Sequence, residues 1–153
     1  MADVEPAEDR YGLQRFVEAQ NRGRTYEQAV RELRSGLKSS HWMWFVFPQV
    51  AGLGRSPTAQ HYAIGSLGEA RAYLRHPVLG PRLRECAEIA ASIDHRTAAD
   101  VFGSVDAMKL RSSMTLFDRA APEEPVFGRV LDRFFDGTRD ELTEMILGGS
   151  GGR

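Results

Sequence analysis

The segment Ser40-His-Trp-Met-Trp-Phe-Val-Phe-Pro-Gln49 constrains this chain more than any other. Six large apolar residues, Trp42 to Phe47, run without a break, so every face of the element they form must be covered. Such a run suits a buried strand or a buried helical turn, and its own periodicity does not separate the two. Its surroundings favour the helix. A lone strand among helices would leave backbone groups unpaired, at about 1–3 kcal/mol each. A short buried helix ending before Pro48 is therefore expected, because proline disfavours the α conformation in the residue ahead of it. Two indole N–H groups, the His41 imidazole and the Gln49 amide then need partners in or beside the core. They either satisfy backbone groups and pin the segment, or they line a pocket.

Helix signals recur on both sides of this run. Asp9 precedes Leu13, Phe16 and Val17, which share one helical face, and Thr25 with Gln28 has capping-box spacing ahead of a helix stopped by Gly36. Ser56-Pro57 and Ser66 with Glu69 have the order of helix starts, and Pro77 closes the second of these helices. Beyond it an apolar stripe through Leu83, Cys86, Ala87, Ala90 and Ile93 predicts a helix beginning near Gly80, with Pro81 in its first turn. Thr97 starts a brief turn, Ser104 a helix to about Arg119, Pro125 one stopped by Gly137, and Arg139 one running to Leu147. No alternating strand or hairpin pattern interrupts them. The fold class is all-α: one compact bundle of about seven to eight helices around the aromatic segment. Residues 1–9 are acidic and aperiodic and 148–153 are glycine-rich, so both are expected to be flexible ends of a single 10–147 domain.

Composition narrows the setting. A net charge of -1 offers no broad footprint for nucleic acid, which makes that partner unlikely. The longest apolar run is far below the roughly 20 residues of a membrane span. One cysteine, Cys86, forms no internal disulfide, and the N-terminal residues lack the pattern of a secretion signal, so a cytoplasmic protein is expected. Cys86 sits on its helix's apolar stripe and reads as core. The four histidines lie far apart and no Cys-x-x-Cys, Walker or dinucleotide pattern occurs, so no metal and no cofactor is predicted. Oligomeric state has no signal here.

Two polar groupings stand out. On the 104–119 helix, spacing at about 100° per residue puts Val105, Met108 and Leu116 on one apolar arc and Ala107, Leu110, Met114 and Phe117 on another. Between them runs a strip of Asp106, Lys109 and Ser113, spaced three and four apart so that their side chains meet. A helix apolar on two sides is expected to be packed on two sides, which partly encloses the strip. It then holds either an ordinary helix ion pair or an ammonium offered to an anion. Ser112 and Thr115 fall elsewhere on the wheel and suit bonds to backbone. The second grouping is the junction around Arg75, His76 and Arg82, a weaker anion-binding candidate because Glu69, Glu85 and Glu88 lie near enough to neutralise it.

Four strings together, Arg15-Phe-Val-Glu-Ala-Gln20, His41 to Gln49, His76-Pro-Val-Leu-Gly-Pro-Arg82 and Lys109-Leu-Arg-Ser-Ser-Met-Thr-Leu-Phe117, resemble the bacterial DUF1810 family in their order along nearly the whole ordered chain. The resemblance implies a mainly helical single domain and assigns no activity; the name calpastatin sometimes given to members has little support in these residues. It marks Gln20, His41, Trp42, Gln49, Lys109, Ser112 and Ser113 as candidate positions. A looser similarity, in size and helical content, to the NADAR proteins that process ADP-ribose-linked compounds implies a nucleotide-sugar type of ligand ahead of other anions.

The expected function is binding, with transformation left open, of an anionic nucleotide or ADP-ribose-type metabolite in an internal polar pocket. Lys109 would contact the anion, Asp106 and His41 would act as acid–base or orienting groups, and Trp42 or Trp44 would stack on a ring. Whether the chain is an enzyme stays open. The rival expectation is a non-catalytic protein-interaction module whose polar residues only fix the core.

Overall fold

The computed structural model describes residues 9–151. The chain forms α1 (Gln14–Asn21), a 3-10 turn (Arg22–Arg24), α2 (Thr25–Ser35), α3 (Met43–Val46), α4 (Pro57–His61), α5 (Leu67–Arg75), α6 (Leu79–Ala91), α7 (Ala98–Phe102), α8 (Ser104–Ala120), α9 (Pro125–Phe135) and α10 (Glu141–Gly151). Seven of these have eight residues or more, and α3, α4 and α7 are one-turn helices. Among the described residues the pairing outside helices is a single isolated parallel bridge, Val50 to Ile64. The final helix continues past Leu147 to Gly151. Residues 1–8 and 152–153, most of the expected flexible ends, lie outside the described residues. None of the described helices is long and apolar enough to cross a membrane.

Local chemistry accounts for most of the boundaries. Asp9 caps α1 by accepting from Leu13 and Gln14 N–H, at 2.6 and 2.9 Å. Ser56 Oγ accepts from Ala59 N–H with Pro57 in the first turn, and Thr97 with Asp100 completes a full capping box on α7. Ser66 Oγ takes Glu69 N–H, but Glu69 turns its carboxylate to Gly65 N–H at 2.8 Å, leaving the box half made. The Thr25–Gln28 box does not form. Arg24 sits in the left-handed region at φ 60° ahead of α2, and Thr25 Oγ1 donates to Arg22 C=O at 2.6 Å. Ser104 is not a cap either: Gly103, with φ 80° and ψ 159°, is the single residue between α7 and α8. That backbone pairing of angles suits glycine alone.

The core is a chain of rings crossing the bundle. Phe16 meets Tyr73 edge-on at 5.1 Å, Tyr73 meets Phe117 at 5.4 Å, and Phe117 meets Phe127 at 5.9 Å, so α1, α5, α8 and α9 share one interior. The aromatic segment joins it as the expected short buried helix ending before Pro48. Trp42, Met43, Val46 and Phe47 are buried, whereas Trp44 and Phe45 are only partly covered. One expectation fails on α8. Val105 is 66% and Met108 67% exposed, so only the Leu116 end of that apolar arc finds a neighbour.

Candidate functional site

The aromatic segment and the α8 strip converge. Asp106 accepts an ion pair from Lys109 one turn along α8, at 3.7 Å, and from Lys38 in the loop after α2, at 2.8 Å. Each ammonium also lies over an indole: Lys38 Nζ is 5.0 Å from the Trp42 ring centre and Lys109 Nζ is 4.9 Å from that of Trp44. Lys38 further donates to the Ser40 carbonyl. The Lys38 side chain is 6% exposed, Asp106 20% and Lys109 22%. Two ammonium groups, each lying over an indole, therefore share one carboxylate.

Directly behind Trp42 lies Glu32 of α2, itself buried. Its carboxylate accepts from Trp42 Nε1 at 2.8 Å, Gln28 Nε2 at 2.7 Å, Ser39 N–H at 2.9 Å, Ser40 N–H at 3.0 Å and the Ser40 hydroxyl. Burial alone would push this carboxyl up, but the bonds from Ser40, Gln28 and the Ser39 and Ser40 N–H groups outweigh it and hold it well below the usual carboxylate range. With five donors satisfied, Glu32 anchors the start of the segment. The far end is held by Gln20, whose Nε2 donates to Phe45 C=O at 2.7 Å and to Tyr73 Oη at 3.2 Å. Arg82 in turn donates to Gln20 Oε1 at 3.2 Å.

The predicted residues separate into those at the convergence and those elsewhere. Asp106, Lys109, Trp42 and Trp44 are together there. Ser113 is fully buried one turn beyond Lys109, and among the described residues its hydroxyl is the one buried side-chain polar atom without a hydrogen-bond partner. Ser112 donates to Met108 C=O at 3.1 Å, the backbone bond its wheel position suggests. Gln20 is a core fastener. His41 is exposed, so its imidazole needs no interior partner, and Gln49 meets the Val50–Ile64 bridge through its backbone carbonyl, which accepts Ile64 N–H at 2.8 Å.

Arg75, His76 and Arg82 do not make one anion site. His76 Nδ1 accepts from Val78 and Leu79 N–H, at 3.1 and 3.2 Å, and so caps the start of α6. Burial lowers its pKa, consistent with a neutral ring whose nitrogen serves as acceptor. Arg82 points to the other side, over the Tyr26 ring and toward Gln20 and Asn21. Arg75 faces a separate groove with Arg71 and Arg84.

Lys38 and Glu32 were not legible as site residues. A signal existed for Lys38: of 20 basic side chains only two are lysine, and both meet Asp106. An ammonium is a compact point charge, whereas a guanidinium is a broad planar fork. At 6% exposure between an indole and a carboxylate, the lysine position demands the smaller group.

Fold and site together define a small all-α single domain carrying a lysine-paired carboxylate beside two indoles. The chain belongs to the DUF1810 family, described as proteins of unknown function, whose model matches residues 10–147. It is similar to the conserved hypothetical protein Rv1873 from Mycobacterium tuberculosis, whose crystal structure superposes with a TM-score of 0.88 at 47% identity, over 91% of this chain and 98% of that one. No curated protein matches it.

Proposed function

We propose that the Lys38–Asp106–Lys109 cluster binds an anionic small molecule bearing a flat ring, of nucleotide or ADP-ribose type. The observation that carries this reading is that two ammonium groups share one carboxylate, at 2.8 and 3.7 Å, leaving one positive charge in excess beside the partly exposed Trp44. Glu32 makes no ion pair with either ammonium among the described residues; its carboxylate is occupied by five neutral donors behind Trp42. An incoming phosphate would take the place of the longer Asp106 contact on Lys109, and a base or other ring would stack on Trp44.

Thermal denaturation in the presence of nucleotides, NAD fragments and sugar phosphates tests the reading. A ligand at 100 times its Kd adds about 2.7 kcal/mol and raises Tm by roughly 5–10 °C in a domain of this size. That rise is expected for the wild type and not for Lys109→Ala. Equal shifts in both proteins, or none with any of these compounds, would remove the proposal.

A second reading, a protein-interaction module, draws on the exposed Val105 and Met108 of α8. It predicts concentration-dependent association in sedimentation velocity that Met108→Lys abolishes, with no small-molecule response at Lys109.

A further inference from the structure

At the opposite end of α8, about 21 Å along its axis from Asp106, an open groove of about 440 Å³ lies between α5, α6 and the segment after α8. Gly80 makes the groove possible. A Cβ there would stand 2.1 Å from the Leu74 carbonyl, so only glycine lets the first turn of α6 press against the last turn of α5. That approach brings Arg84 beside Arg71 and Arg75, which are four apart on α5 with Cβ atoms about 6 Å from each other.

The three guanidinium groups are in different states. Arg84 is engaged by Glu124 in a two-pronged pair, Nε to Oε1 at 2.7 Å and Nη2 to Oε2 at 2.8 Å, which fixes the wall and spends its charge. Arg71 donates Nε to the Ala120 carbonyl at 3.2 Å, a bond that orients the group at the C-terminal end of α8 and leaves both Nη atoms for another acceptor. Arg75 is exposed and makes no ion pair among the described residues. The remaining acid, Glu123, lies on the segment after α8, is exposed and lines the same groove. Leu74, Ala120 and Ala121 are buried beneath. The groove therefore offers two unspent guanidinium groups from α5 and an unspent carboxylate from the segment after α8.

We infer that this groove binds a phosphate monoester carrying hydroxyl groups, with the phosphoryl oxygens held between Arg71 and Arg75 and a ligand hydroxyl donating to Glu123. Two forks set one helical turn apart fit a tetrahedral anion with three terminal oxygens better than a carboxylate with two. A purely anionic ligand would gain from the arginines and lose against Glu123; a phosphorylated polyol uses both. The volume lies within the range of small-molecule sites. This site is independent of the Lys38–Asp106–Lys109 cluster, and neither reading needs the other.

The test is a titration at pH 7.5 and constant ionic strength with glycerol 3-phosphate, inorganic phosphate and glycerol, followed by backbone amide and arginine Nε–H resonances. Saturable shifts at residues 71, 75 and 120–123 are expected with glycerol 3-phosphate. Inorganic phosphate should bind at least threefold more weakly, and glycerol not at all. Arg71→Gln and Arg75→Gln should each weaken binding about tenfold, and Glu123→Gln about threefold. Unsaturable shifts, shifts shared by arginines outside the groove, or affinity unchanged in the folded Arg71→Gln and Arg75→Gln proteins would overturn the assignment.

Discussion

Glu32 is the residue on which the site's geometry depends, although it pairs with neither lysine among the described residues. Its five bonds hold Ser39, Ser40 and Trp42 in place, and those residues carry Lys38 over the indole to Asp106. Replacing it with glutamine keeps the shape but withdraws the charge from all five donors, at a cost of about 2–3 kcal/mol at pH 7 by urea denaturation. The folded carboxyl titrates below its unfolded counterpart, so the charged bonds stabilise fully above the ordinary value of about 4.3 and fade as pH falls below it. The stability gap between wild type and Glu32→Gln should therefore hold from pH 7 to 5 and narrow toward pH 3. A gap that stays constant to pH 3 would mean that Glu32 acts through shape alone. The lysines make a second residue-scale prediction: Lys38→Arg conserves charge, yet should destabilise by about 1–3 kcal/mol, because the larger head group overfills a nearly closed space.

Among the elements, the α5–α6 junction is the most tightly specified. His76 caps α6 with an unprotonated Nδ1. Its pKa is lowered by burial, so the cap is complete above the unfolded value of about 6.5 and is lost as pH falls toward the folded one. Wild-type stability should rise from pH 5.5 to 7.5. His76→Asn, which keeps an acceptor that does not titrate, should flatten that rise, while His76→Ala should lose about 1 kcal/mol at pH 7.5. An undiminished rise in His76→Asn would place the titrating group elsewhere. Gly80→Ala is the sterner change: with the Leu74 carbonyl 2.1 Å from the new Cβ, α5 and α6 must part, at about 3 kcal/mol or more, read as a lower urea midpoint.

At the scale of the whole molecule, the helical architecture was legible wherever a boundary is made by neighbours in sequence. Asp9, Ser56-Pro57 and Thr97 with Asp100 each close a helix end within five residues, and each does so in the structure. The Thr25–Gln28 pattern misled because the tight turn at Gly23 and Arg24 rotates Thr25 away from the N–H groups it would cap. A helical wheel also fixes angles without saying which faces meet neighbours, so Leu116 found the core while Val105 and Met108 stayed outside. Of the strip between them, Asp106 and Lys109 pair as their spacing suggests, but the Ser113 hydroxyl bonds to neither, and the third partner is Lys38, which reaches Asp106 through a loop whose path depends on Glu32 and on the Lys38 N–H bond to Val101 C=O at 2.8 Å. Conversely His41, adjacent in sequence to Trp42, turns outward.

The proposed ligand site at the edge of the aromatic segment is built on Lys109 and Trp44. The chain has two tryptophans, one buried and one partly exposed, so fluorescence separates them. Titration of ADP-ribose, followed by emission of the wild type, Trp44→Phe and Lys109→Ala, reads ligand binding at Trp44. A saturable change is expected in the wild type, none in Trp44→Phe although Trp42 still emits, and a midpoint at least tenfold higher in Lys109→Ala. A change that persists unaltered in Trp44→Phe, or a wild-type spectrum unmoved by saturating ligand, would contradict that site.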